Sequence, residues 1–163
     1  MCRTPGATNS LLTKIGFTVN KSLFASPQDA EAAFYEALTK ADLESMMAVW
    51  ADDDDIYCVH PGGARITGVE QVRESWRQIF ASGQTLRFQL REQQQVQGMM
   101  LSVHSVYEQI TVAGDPRPRG PVIATNVYQR TERGWRMVAH HASPAPASSE
   151  PEPQRAAAPK TLH

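Results

Sequence analysis

Apolar residues recur along this chain with two different periods, and the change from one to the other divides it. At Ser26-Pro27-Gln28-Asp29 a capping serine, a proline at the first helical position and an acid in the first turn predict a helix start. Ala30, Phe34, Ala37, Leu38 and Ala41 then recur every three or four residues, the single apolar stripe of an amphipathic helix. Asp42 is placed to cap a second helix whose stripe is Leu43, Met46, Met47 and Trp50, and the short link makes the two helices neighbours. After the acidic run Asp52 to Asp55, Ile56-Tyr57-Cys58-Val59-His60 reads as a short strand ended by Pro61-Gly62-Gly63. Thr67 or Gly68 opens a third helix with Val69, Val72, Trp76, Ile79 and Phe80 on its buried face.

Beyond Ser82-Gly83 the period falls to two. Leu86, Phe88 and Leu90 alternate with Arg87, Gln89 and Arg91, the pattern of a strand with one dry and one wet face. Met100 to Val112 predicts the next strand, and residues 115 to 121 a stiff basic loop. Pro121 to Arg130 and Trp135 to Ser143, rich in β-branched and aromatic residues, flank Thr131-Glu132-Arg133-Gly134 as an antiparallel hairpin. Alternation puts Val122, Ala124, Asn126 and Tyr128 on one face, and Val138, His140 and Ala142 on one face of the partner strand.

Helices first and strands afterwards predict an α+β domain: a curved antiparallel sheet, closed into a cone by three N-terminal helices. Its expected bounds are 26–144. Residues 1–25, with scattered Leu11, Leu12, Ile15, Phe17 and Phe24, are expected to be a poorly ordered lead-in, and the Pro/Ala/Ser-rich residues 145–163 a disordered tail.

Composition narrows the function. The 163 residues are 41% apolar, enough for one domain with a real core. Sixteen Lys and Arg against 17 Asp and Glu leave a formal charge of −1, so no field is present to hold a nucleic-acid backbone. No stretch approaches the ~18 uninterrupted apolar residues of a membrane span, and Cys2 and Cys58 lack zinc or disulfide spacing. Neither nucleic acid nor membrane is an expected partner, a cytoplasmic location fits best, and no cofactor is expected in the absence of a phosphate-cradling glycine loop.

Several ordered motifs carry a resemblance: Phe34-Tyr35-Glu36-Ala37-Leu38 with Ala41-Asp42, Trp50-Ala51-Asp52-Asp53, His60-Pro61 with Thr67-Gly68, Gly114-Asp115-Pro116-Arg117, and Gly134-Trp135-Arg136 with His141-Ala142-Ser143. Over residues 27 to 144 the chain resembles the nuclear-transport-factor-2-like superfamily, in particular its SnoaL-like and calmodulin-dependent-kinase association-domain branch. The resemblance implies the cone fold. It leaves activity open, because isomerases, cyclases, dehydratases and oligomerisation hubs share this scaffold.

Candidate chemistry follows from both sources. The resemblance sets His60, before Pro61, where steroid-isomerase members place a catalytic carboxylate, and an imidazole there can move a proton. It also implies a tyrosine on the first helix and a carboxylic acid on a central strand. Phe34 stands at the former position and Pro121 to Arg130 contains no acid, so steroid isomerisation is disfavoured. His140 and His141 are adjacent and point to opposite faces; His140 is the catalytic candidate with His60, whereas His141 joins Trp135 and Met137 on an expected dimer face. Ser105, Tyr107, Asn126 and Tyr128 are expected to line the pocket, with Trp50, Trp76 and Phe88 as its walls, although core packing alone would use the same aromatics. Hub domains carry charges near the positions of Ser105, Asn126 and Ala142 and bind small acids; lacking them, this pocket suits a small apolar or weakly polar molecule. Asp52 to Asp55 lack calcium-loop spacing and read as a solvated turn, and no serine or cysteine has the flanking sequence of an activated nucleophile. Two functions are therefore expected to compete: a homodimeric pocket protein with histidine-dependent acid-base chemistry, and a non-catalytic association module.

Overall fold

The computed structural model describes residues 24–146, apart from 116 and 118; the expected lead-in up to residue 23 and the tail from residue 147 lie outside the described residues. Three helices and six strands follow in the order α1 (Pro27–Lys40), α2 (Leu43–Val49), β1 (Tyr57–Val59), β2 (Arg65–Thr67), α3 (Val69–Ala81), β3 (Leu86–Gln97), β4 (Leu101–Val112), β5 (Val122–Thr131) and β6 (Gly134–Pro144). The α1 start is a reciprocal capping box: Ser26 Oγ accepts from the Asp29 amide at 3.1 Å, and Asp29 Oδ2 accepts from the Ser26 amide at 3.0 Å. Asp42 caps α2 by accepting from the Glu44 and Ser45 amides.

The strands form one sheet in the order β2-β1-β6-β5-β4-β3. Two details depart from the sequence reading. Residues 65–67 form a strand of their own, and β1 runs parallel to β6, so the sheet is mixed. The helices cover one face, burying Phe34, Met46, Val49, Val72, Val106, Tyr128 and Met137 completely. Full burial of each of the Phe, Met and Val side chains among them stabilises the fold by ~1.5–3 kcal/mol.

Two bulges decide which side chains face the helices. In β6 the register passes from Val127↔Ala139 to Tyr128↔Met137, which leaves Val138 without a partner. The extra residue puts Trp135 and Met137 on the same inward face as His140 and Ala142. The expected dimer face is corrected here: Trp135 is 5% and Met137 0% exposed, both in the core, and of the three residues His141 alone is exposed. In β3, Arg91 pairs with Tyr107 and Gln94 with Ser105, so Glu92 and Gln93 together oppose Val106, and Glu92 takes φ 50°. Leu86, Phe88 and Leu90 face inward before this bulge, Gln95 and Gln97 after it.

Candidate functional site

A polar row crosses the inward face. In register, Gln95 lies beside His104, His104 beside Asn126, Asn126 beside His140, and His140 beside Cys58. On β4 the inward set is Ser102, His104, Val106 and Glu108, all buried. Ser105 and Tyr107, expected to line the pocket, stand on the opposite face, half-buried beside Thr125 and Ile123. The physical reason is that α1 supplies partners for the polar set: Glu31 and Tyr35, one helical turn apart, reach His104 and Glu108.

The central feature is a hydrogen-bonded chain with a single direction. His140 Nδ1 donates to Asn126 Oδ1 at 2.7 Å, Asn126 Nδ2 donates to the Tyr35 hydroxyl at 3.3 Å, and that hydroxyl donates to Glu108 Oε1 at 2.7 Å. Bonds aligned head to tail polarise one another. Burial pushes the Glu108 carboxyl up to about 7; the Tyr35 hydrogen bond opposes this and the neighbouring Glu31 adds to it. Burial, followed by Glu108, raises the Tyr35 hydroxyl. His140 is driven down to about 3 by burial, with His60 and His141 adding to the effect, so near neutrality it is an uncharged imidazole with Nε2 left as acceptor.

The other expected residues fall around this chain. Phe34 and Trp76 pack on His140 at ring separations of 5.2 and 6.1 Å. The Phe88 ring lies 5.8 Å from Tyr35. His60 stands edge-on to Trp76 at 4.6 Å, and its Nε2 is 3.1 Å from Ser75 Oγ. Since Ser75 Oγ donates its proton to the Val72 carbonyl, Nε2 of His60 is the donor in that contact. Burial holds the His60 imidazole below its usual value and pushes the Cys58 thiol up to about 12. Asn126, Tyr128 and His140 do project inward, enclosed by side chains. Trp50 lines a cavity of about 640 Å³ elsewhere, among the three helices, with Ala37, Met47, Val69 and an ion-paired rim of Glu44 and Arg73.

Asp52 to Asp55 are exposed, and the Asp53 carboxylate accepts from the Asp55 amide in a local turn. Among the described residues no group of three His, Cys, Asp or Glu side chains is placed to hold a metal ion, and no helix is long and apolar enough to cross a membrane. A phenol and a carboxyl do meet inside the fold, but they come from Tyr35 and Glu108, which sequence reasoning missed. The available signal was the pair Glu31 and Tyr35, four apart beside the apolar stripe of α1.

A mixed curved sheet wrapped over three helices, with a polar row on its concave side, defines an α+β cone of the nuclear-transport-factor-2-like kind. The chain belongs to the SnoaL-like domain family, whose pattern matches residues 28–148. Among solved structures it is similar to a calcium/calmodulin-dependent protein kinase type II association-domain-like protein from Thiobacillus denitrificans, with 39% identity and TM-score 0.73, over 77% of this chain and 99% of that one. It is also similar to a dehydratase-like protein of the NTF2-like family from Streptomyces avermitilis, with 31% identity and TM-score 0.66, over 72% of this chain and 92% of that one. A third relative is the F-box protein SKIP8 of Arabidopsis thaliana, 26% identical over 110 residues; these are 68% of this chain but 46% of that protein, so the likeness spans about half of the relative's length.

Proposed function

We propose that this chain binds a small, mostly apolar molecule inside the cone and performs cofactor-independent acid-base chemistry on it, of the isomerase, cyclase or lyase type. One observation carries the reading: a carboxyl group pushed up to about 7 hydrogen-bonded to a buried phenol at 2.7 Å. Near neutrality Glu108 is poised between donor and acceptor, which is the condition for efficient proton transfer. Tyr35 and the uncharged His140 supply hydrogen bonds without net charge, in keeping with a neutral ligand. His60 stands at the rim of the same aromatic cluster as a second proton carrier. The reaction takes place in the cytoplasm.

The test uses a neutral bicyclic aryl ketone in heavy water, followed by NMR. The expected result is α-deuteration above the buffer rate, with shifts at Tyr35, Asn126 and His140. Glu108→Gln lowers the rate at least about a hundredfold. Shifts confined to exposed residues, together with exchange at the buffer rate, overturn the reading.

A second function has its own support in the outer sheet face, where Val103, Tyr107, Ile123 and Val127 are half-buried and Val96, Met99, Met100 and Leu101 at the β3–β4 turn are exposed. Self-association through this face makes the protein a homodimer, consistent with its likeness to an association-domain-like protein. Val127→Glu then gives monomers in sedimentation velocity, and an unchanged sedimentation coefficient sinks the dimer.

A further inference from the structure

A second chain of contacts lies on the inward face beside the acid-base row, linked to it through Glu31, which adds to the rise at Glu108. Ser102 and His104, two apart on β4, stand side by side. His104 Nε2 is 2.9 Å from Ser102 Oγ, and Nδ1 on the far side of the ring is 3.1 Å from Glu31 Oε2 of α1. Alcohol, Nε2, Nδ1 and carboxylate thus follow one another in the order that activates a serine: the carboxylate orients the ring, and the ring takes the hydroxyl proton. The Nδ1 contact is off the hydrogen-bond axis, as catalytic contacts often are before substrate binds.

The surroundings support a site rather than an inert core. Tyr128 lies directly opposite Ser102 on β5, its ring 4.9 Å from that of His104. Three polar atoms of these residues are buried without aligned hydrogen bonds: Glu31 Oε1, His104 Nδ1 and the Tyr128 hydroxyl. In a core built for stability alone, each such atom is destabilising. Glutamine amides stand at this end of the face. Gln95 and Gln97 share the face of His104 and Ser102, and Gln28 Nε2 donates to both, to Gln95 Oε1 at 2.9 Å and Gln97 Oε1 at 3.1 Å. All three glutamines are exposed, where side chains change rotamer on the fastest timescale of side-chain motion.

We propose that Ser102, His104 and Glu31 form a nucleophilic site that hydrolyses short-chain activated esters, gated by the amides of Gln28, Gln95 and Gln97. Ser102 Oγ adds to the ester carbonyl carbon while its proton passes to His104 Nε2, and the Tyr128 hydroxyl donates to the carbonyl oxygen. The C–O bond to the alcohol breaks, and the leaving oxygen takes the proton from His104. Water then adds to the acyl carbon and gives its proton to His104. The acyl–Oγ bond breaks, Oγ recovers the proton, and the free acid departs.

The experiment treats the full chain with 4-nitrophenyl acetate and, separately, with a small alkyl fluorophosphonate. Adducts are read by intact mass and peptide mapping, and folding of each variant is confirmed by circular dichroism melting. The expected adduct sits on Ser102 and is absent from Ser102→Ala. It forms at least about a hundredfold more slowly in His104→Gln; if that variant does not fold, Glu31→Gln is expected to slow it at least tenfold. Gln95→Ala combined with Gln97→Ala accelerates labelling. The site is overturned if neither the natural chain nor the opened variant is labelled at Ser102, or if folded His104→Gln or Glu31→Gln labels at the unaltered rate.

Discussion

The Tyr35 hydroxyl donates to Glu108 Oε1 across 2.7 Å, joining residues 73 positions apart in the chain and tying α1 to the middle of β4. The contact stabilises the fold and sets the protonation of the buried acid at once. Tyr35→Phe removes the donor to Glu108 and the acceptor of Asn126 Nδ2 together. Leaving both groups buried and unpaired is expected to cost ~1–3 kcal/mol or somewhat more in denaturant unfolding. Because that hydrogen bond opposes the rise at Glu108, the same variant raises the Glu108 midpoint further, which carboxyl infrared or ¹³C titration reads directly. A lowered midpoint contradicts the assignment.

The bulge at Val138 makes a separate prediction. Met137 is fully buried and Trp135 nearly so, whereas His141 on the same strand is exposed. Met137→Ala is expected to destabilise by ~2–5 kcal/mol through lost burial and a residual cavity, while His141→Ala stays within ~0.5 kcal/mol. Urea unfolding of the two variants decides it. Comparable small effects from both place Met137 on the surface and remove the bulge.

The elements whose signals are local were legible. Ser26-Pro27-Gln28-Asp29 marks the α1 start because a capping box needs only four neighbouring residues, and the β5–β6 hairpin shows itself in two β-branched runs around Gly134. The inward face of β4 was not legible. Its odd positions, Leu101, Val103 and Tyr107, look apolar and its even positions, Ser102, His104 and Glu108, look polar, so alternation alone turns the strand the wrong way round. The even set is buried because Glu31 and Tyr35 meet it from a helix some seventy residues earlier. No pattern within β4 contains that fact. The bulges at Val138 and Glu92 are silent for a related reason: neither carries a glycine or proline, and each is set by pairing with the neighbouring strand. The candidate site was therefore half readable. Asn126 and His140 were found from their own strands, while the phenol and the carboxyl that complete the chain were not.

Gly134 opens β6 with φ 82°, and a Cβ there would meet the Phe24 carbonyl oxygen at 2.4 Å. That carbonyl accepts from the Trp135 amide at 2.9 Å, and the Phe24 ring lies under the Arg136 guanidinium at 4.9 Å. Gly134→Ala combines a left-handed backbone with displacement of this segment, so it is expected to destabilise by more than the ~1 kcal/mol of an ordinary glycine replacement. Thermal unfolding measures the loss, and amide exchange at Trp135 rises with it. An unchanged Trp135 amide refutes the close approach.

The pH dependence of stability tests the electrostatics of the site. The Glu108 carboxyl moves from 4.5 to about 7 on folding. Between those values the unfolded chain has released the proton and the folded chain still holds it, so stability falls as pH rises through the window and levels off above it. The span corresponds to a loss on the order of 3 kcal/mol. His140 acts in the opposite sense. Its imidazole moves from 6.5 down to about 3, so below pH 6.5 the unfolded chain binds a proton that the folded chain refuses, and stability falls as pH drops. In the natural protein the two slopes oppose one another between pH 4.5 and 6.5 and the profile is flattened. Glu108→Gln removes only the first. Unfolding free energies of the two proteins, measured from pH 4.5 to 8, are expected to diverge in favour of the variant as pH rises to about 7 and to run parallel beyond it, with the contribution of His140 cancelling in the difference. A difference that does not vary with pH shows that Glu108 ionises as it does in water, and the proton-transfer role proposed for it then fails.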